Sequence, residues 1–168
     1  MKRTSSPLLL FILLGLLLPA KGQAQASPES PTSALQVGVA YFDLVGSAGA
    51  AALELTYRPG SWRVWRMEPQ VGAMFNADGG VYGYGGIALP LASSRGFGVT
   101  PSLSVGGYGQ GGSLDLGQIL EFRSGIELTL PGWDGDRIAV MVYHLSNASL
   151  GDRNPGTEVL GVGYLIRW

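Results

Sequence analysis

The residue types best suited to chemistry lie near the C-terminal end of the chain. His144 is its single histidine, and Ser146 follows two positions later. In an extended strand, residues i and i+2 point to the same side. A base and a hydroxyl would then share one face, within hydrogen-bond reach. Glu158 supplies a carboxylate beyond a turn containing Asn154-Pro155-Gly156. A serine hydroxyl is a weak nucleophile until a base takes its proton. Imidazole suits that task because it exchanges a proton near neutral pH. A carboxylate on the far ring nitrogen fixes the tautomer and stabilises the imidazolium. These are the parts of a serine hydrolase. Taken singly, each has a plainer meaning: an incidental strand histidine, strand-end residues, a turn, a solvated rim charge. The elements that carry them must decide.

Composition narrows the choice. Met1-Lys2-Arg3, the apolar run Leu8 to Leu18 and Ala24-Gln25-Ala26 read as a secretory signal peptide, cleaved after about Ala26. Residues 27–168 are then the mature domain. Without Lys2, Arg3 and Lys21, the 11 basic residues fall to eight against 12 acids, a net charge of −4. No basic patch is visible, which argues against nucleic-acid binding. There is no cysteine, so neither a disulfide framework nor a thiolate metal site is available. One histidine makes a histidine-built metal site improbable, and the proposed chemistry needs no metal or cofactor. Only 14% of residues are charged, against the usual quarter, and 27 are glycine.

The elements are strands. Leu35, Val37, Val39 and Tyr41 alternate with small or polar residues, as do Leu53, Leu55 and Tyr57. A third run spans Trp62 to Phe75, with Trp65, Met67, Val71, Ala73 and Phe75 on one side. Further runs cover Val81 to Leu91, Phe97 to Val105, Leu120 to Leu128, Arg137 to Asn147 and Glu158 to Trp168. A loop over Tyr108 to Leu116 separates the fifth and sixth runs. The pattern predicts eight strands of roughly ten residues and no amphipathic helix. Turns after the second, fourth and sixth strands read as short, and the other connections as longer. That is the plan of an all-β, eight-stranded antiparallel transmembrane β-barrel. A soluble sandwich or lipocalin-like barrel shares the periodicity. The exported character and a last strand ending Tyr164, Ile166, Trp168 favour the membrane form, because that ending resembles the C-terminal signal of outer-membrane proteins.

Glu54, Arg66, Glu68, Gln70, Glu121, Arg123 and Glu127 fall on the minor face. In an eight-stranded barrel side chains just fill the interior, so both charge signs there predict an ion-paired plug rather than a channel. Trp62, Trp65, Trp133, Trp168, Tyr57 and Tyr164 read as interface girdles.

Strand parity then locates the chemistry. Ile138, Val140 and Val142 share even parity with His144 and Ser146, and Leu160 to Trp168 share it with Glu158. Three polar residues therefore sit at the ends of two neighbouring strands on the lipid-facing side, where an ionisable group is costly and by default functional. The odd face of the seventh run, Ala139, Met141, Tyr143 and Leu145, is apolar too, so facing is less sharply defined there. With a periplasmic N-terminus these strand ends lie near the outer leaflet, and the natural substrate is an amphiphile already in it.

His144-Leu145-Ser146-Asn147-Ala148, followed by Asn154-Pro155-Gly156 and Glu158, resembles the bacterial lipid A 3-O-deacylases of the PagL type. The motif covers the last hairpin, and the rest agrees in architecture. The resemblance implies an outer-membrane enzyme that hydrolyses the ester-linked acyl chain at the 3-position of lipid A, within lipopolysaccharide. It implies Ser146 as nucleophile, His144 as base and Glu158 as the acid orienting it, with Asn154 in the oxyanion hole and Asn147 as a further donor or support. The odd parity of Asn147 points it inward, so a bulge or a structural role is equally open. Arg153 reads first as a solvated loop charge and second as a contact for a lipid phosphate. The lipid face would permit a homodimer, though no residue argues for one. Two other readings stay open: an outer-membrane phospholipase-like esterase and a non-enzymatic small barrel.

Overall fold

The computed structural model describes residues 33–62, 65–92 and 97–168. The expected signal peptide lies outside these. Nine strand segments follow in order: β1 (Ala34–Phe42), β2 (Ala50–Arg58), β3 (Glu68–Asn76), β4 (Val81–Ala88), β5 (Leu91–Ala92), β6 (Gly98–Gly109), β7 (Leu120–Pro131), β8 (Arg137–Ser146) and β9 (Thr157–Arg167). β4 and β5 both pair with β6 and form one stave, interrupted at Leu89–Pro90, where proline has no N–H to give to a ladder. Eight staves result, all antiparallel. β9 returns to pair with β1, closing the sheet on itself. Closure leaves no edge with unpaired backbone groups, which is the condition for crossing lipid with strands.

The alternation expected from the sequence holds around the barrel. Val37, Val39, Leu53, Leu55, Val71, Phe75, Leu103, Val105, Leu128, Val142, Leu160 and Val162 are exposed on the outer wall. Ala139, Met141, Tyr143 and Leu145 are buried, so the ambiguous face of the seventh run is the inner one. Inside, Arg58 donates two hydrogen bonds to Glu127, both 2.8 Å. Arg123 donates to Glu54 at 2.7 Å and lies between the Tyr84 and Tyr143 rings, 4.7 and 3.9 Å from their centroids. Gln70 Nε2 donates to Ser104 Oγ at 2.9 Å. A cavity beside these pairs, lined by Arg58, Arg123 and Glu127 among others, has a volume of only about 10 Å³. That is room for roughly one water, so the interior is a polar plug, as expected.

Four expectations are corrected. The third strand begins at Glu68, not Trp62, because Trp65 takes a left-handed turn conformation at φ 62°. Arg66 is consequently exposed in the turn rather than in the lumen. The 59–67 connection is therefore long, while 77–80 is tight, and the simple alternation of loop lengths fails at both places. The tight turn is held by Asn76 Oδ1, which accepts from the Asp78 and Gly80 amides at 3.2 and 2.8 Å. Tyr108 belongs to β6 and is buried, so the next loop starts later than its glycine-rich sequence suggested.

Trp62, Trp65, Trp133 and Trp168 are all exposed and all lie at the barrel end that carries the C-terminus. Trp168 stacks on Tyr57 there, with centroids 6.4 Å apart. The tryptophans thus mark one interface, opposite the ends of β8 and β9 that hold His144, Ser146 and Glu158.

Candidate active site

The ladder between β8 and β9 sets His144 directly opposite Glu158. His144 Nδ1 lies 3.3 Å from Glu158 Oε1, and both side chains are partly exposed on the outer wall. The contact has ion-pair distance but is not aligned as a hydrogen bond, since Nδ1 has no partner by angle. Catalytic hydrogen bonds are commonly loose until substrate binds. Ser146 is two residues along β8, on the same outward parity, roughly 7 Å away along the strand. The described hydrogen bonds include none between Ser146 and His144. On the other side of β8, Ser124 of β7 is opposite His144, and Phe122 is opposite Ser146. These two outward residues complete a rung around the site. Their parity was visible in the sequence, but their adjacency depends on register.

The loop after Ser146 is tightly built. Ala148 and Ser149 have φ of 53° and 62°, and Leu150 N–H donates to Asn147 O at 3.0 Å. Two successive left-handed residues without glycine are costly, and such strain persists only where surrounding contacts enforce it. Asn147 enforces it. Its side chain is wholly buried and points inward, as odd parity required. Its Nδ2 donates to Leu116 O at 3.0 Å and to Arg153 O at 2.7 Å, tying this loop to the β6–β7 loop. Arg153 pairs with Asp115 across the same two loops. The Asp115 carboxyl is held below the usual carboxylate range, chiefly by the Gly117 N–H and then by Arg153.

Asn147 also positions Asn154. Its backbone N–H donates to Asn154 Oδ1 at 3.1 Å, which fixes the orientation of that carboxamide. The Nδ2 end of Asn154 then meets Ser149 Oγ at 3.4 Å in an exposed position. That amide is a neutral donor, weakly engaged, at the rim of the site. Gly156 closes the back. It has φ 62°, and a Cβ there would lie 2.7 Å from His144 Cε1 and 3.0 Å from Nε2. The turn that read as punctuation in sequence is therefore also the wall against the imidazole. Among the described residues no group of His, Cys, Asp and Glu could hold a metal ion.

The family model of the lipid A 3-O-deacylase PagL matches residues 48–167. The chain belongs to the PagL family. A search of curated proteins returns no match. Among solved structures, the crystal structure of the outer membrane enzyme PagL superposes with a TM-score of 0.59 at 17% identity, covering 79% of this chain and 98% of that one. A de novo designed transmembrane β-barrel gives 0.58 at 10% identity, covering 85% and 100%. At these identities the superpositions speak for the fold, a small transmembrane barrel. The family match makes the protein an outer-membrane hydrolase of the lipid A deacylase type. The residues discussed above, from Asp115 to Glu158, all lie within the part matched to PagL.

The contact at Gly156 yields a first expected result. Gly156→Ala should push the imidazole aside and, with His144 as the base proposed below, lower the hydrolytic rate about 100-fold. The left-handed backbone should cost the fold only about 1–2 kcal/mol. Initial rates of acyl release from the purified, folded variant check this. An unchanged rate would mean that the ring does not lean on this turn.

Proposed function

We propose that the protein hydrolyses the ester at the 3-position of lipid A by a Ser146-His144-Glu158 mechanism, in the outer leaflet. The observation that carries the reading is the His144–Glu158 pairing at 3.3 Å on the lipid-facing wall, with Ser146 on the same face. Glu158 faces Nδ1, which leaves Nε2 as the base. Ser146 Oγ attacks the ester carbonyl while Nε2 takes its proton. The developing oxyanion is met by neutral donors, for which the weakly engaged Asn154 Nδ2 is the candidate side chain. One such donor is worth roughly 3–4 kcal/mol in a well-studied protease. The imidazolium, stabilised by Glu158, then protonates the departing sugar oxygen. Water, activated by the same imidazole, releases the fatty acid from the acyl-serine. The outward placement means that substrate reaches the site laterally from the leaflet, without entering the barrel.

Mass spectrometry of lipid A from cells expressing the protein tests the reading. Loss of one 3-hydroxyacyl chain is expected. Intact lipid A, or release of fatty acid from phospholipid in preference to lipid A, would overturn it.

A further inference from the structure

Asp43 lies just outside the residues matched to the family, yet its carboxylate bonds to Thr157, the residue before Glu158. It follows the last residue of β1, takes a left-handed φ of 56° and is buried. The regular ladder between β1 and β9 ends at Tyr41–Leu160. Beyond it, β9 still has three residues to hold, Thr157, Glu158 and Val159, the first of the strand. Strand ends held by few bonds open first. Here the β1–β2 loop folds over them. Leu44 N–H donates to Glu158 O at 2.8 Å. Thr157 Oγ1 donates to Asp43 Oδ1 at 3.0 Å. The other carboxylate oxygen, Oδ2, accepts from the Ala48 amide at 2.8 Å, and Gly46 N–H donates to Asp43 O at 3.1 Å. The carboxylate lies so close over Gly46 that a Cβ there would sit 1.7 Å from Oδ2. One buried carboxylate therefore folds the loop and bolts it to β9.

We propose that Asp43 is a positioning residue for Glu158. It acts through Thr157 and the Leu44 amide, fixing the start of β9 from the side opposite β8. Glu158 is thereby gripped on both edges, by His144's strand and by the β1–β2 loop. Without this latch the carboxylate keeps its chemistry but loses its fixed place beside Nδ1. The proposal rests on the reading of Glu158 as the acid of the triad.

The test is steady-state deacylation of lipopolysaccharide in detergent micelles by the purified full chain. Folding of each variant is verified by heat-dependent migration in gels. Asp43→Ala and Thr157→Val should each lower kcat about 10- to 100-fold with KM nearly unchanged, the size typical of losing a supporting hydrogen bond behind an active group. Thr157→Ser keeps the donor and should recover most of the rate. If Asp43→Ala does not fold, the Thr157 pair decides. Wild-type kcat in folded Asp43→Ala, a rise in KM alone, or equal rates for Thr157→Val and Thr157→Ser would overturn the proposal. Glu158→Ala is run in parallel. Full activity there would sink the triad reading itself, whereas its loss beside an unaffected Asp43→Ala would sink only the latch.

Discussion

Ser146→Ala should remove nearly all deacylation while leaving a folded barrel in the membrane. The side chain is small and sits on the outer wall of β8, with no described hydrogen bond to lose. Its removal therefore costs little stability. The proposed chemistry, by contrast, loses its nucleophile. In a hydrolase whose serine and histidine act as a unit, deleting either costs on the order of 10⁴- to 10⁶-fold in kcat. His144→Ala should be about as severe, and the double variant should be little worse than either alone. Glu158→Ala should be milder, because the carboxylate orients and stabilises rather than reacts. Acyl release from lipid A, followed by mass spectrometry on folded protein, gives all four rates. Additive losses from Ser146→Ala and His144→Ala would contradict a shared proton-transfer step.

The second large effect is on stability and lies inside the barrel. Glu54→Ala should destabilise the fold by about 3–5 kcal/mol, the usual cost of stranding one member of a buried ion pair. Arg123 would remain in the lumen, its guanidinium between two tyrosine rings and its Nε already without a partner. The neighbouring hydroxyls of Tyr84 and Tyr143, at 3.3 and 3.4 Å, would lose the same acceptor. Glu54→Gln keeps an acceptor and should cost less. Urea unfolding in lipid vesicles, read by tryptophan fluorescence, measures both. A shift below about 1 kcal/mol for Glu54→Ala would mean that water solvates the arginine and the plug is looser than its geometry implies. Deacylation per folded molecule should be unchanged, since Glu54 faces the lumen and the site faces lipid.

Why so much was legible in advance can be argued from particular strands. A membrane barrel allows each residue two directions only, and lipid makes the outward one apolar. Leu160 and Val162 therefore oriented Glu158 with no tertiary information, and Val140 and Val142 pointed His144 and Ser146 the same way, although the apolar Ala139, Met141, Tyr143 and Leu145 left that face for burial to settle. The same rule put Asn147 inside, where the structure has it, although its work there was not predictable. Its Nδ2 bonds to Leu116 and Arg153, residues of loops whose meeting no periodicity encodes. The misplaced start of the third strand has a local cause. Trp62 and Trp65 look like girdle residues in alternation, but a left-handed Trp65 breaks the extended chain.

The sequence by itself determined the strand faces, the closed antiparallel plan, the ion-paired interior and the three residue types of the site. The faces follow from period-two alternation and the chemistry of side chains; the closed membrane plan needed the exported character and the aromatic last strand as well. Only the tertiary structure decided the neighbours. Register set Glu158 across from His144 and Ser124 beside it, because a ladder fixes partners that lie far apart in the chain. Loop packing decided the rest: Gly156 against the imidazole, Asn147 beneath Asn154, and Asp43 over the start of β9. Three residues on two adjacent strands in the sequence are, in space, also flanked by β7 and by the β8–β9 and β1–β2 loops.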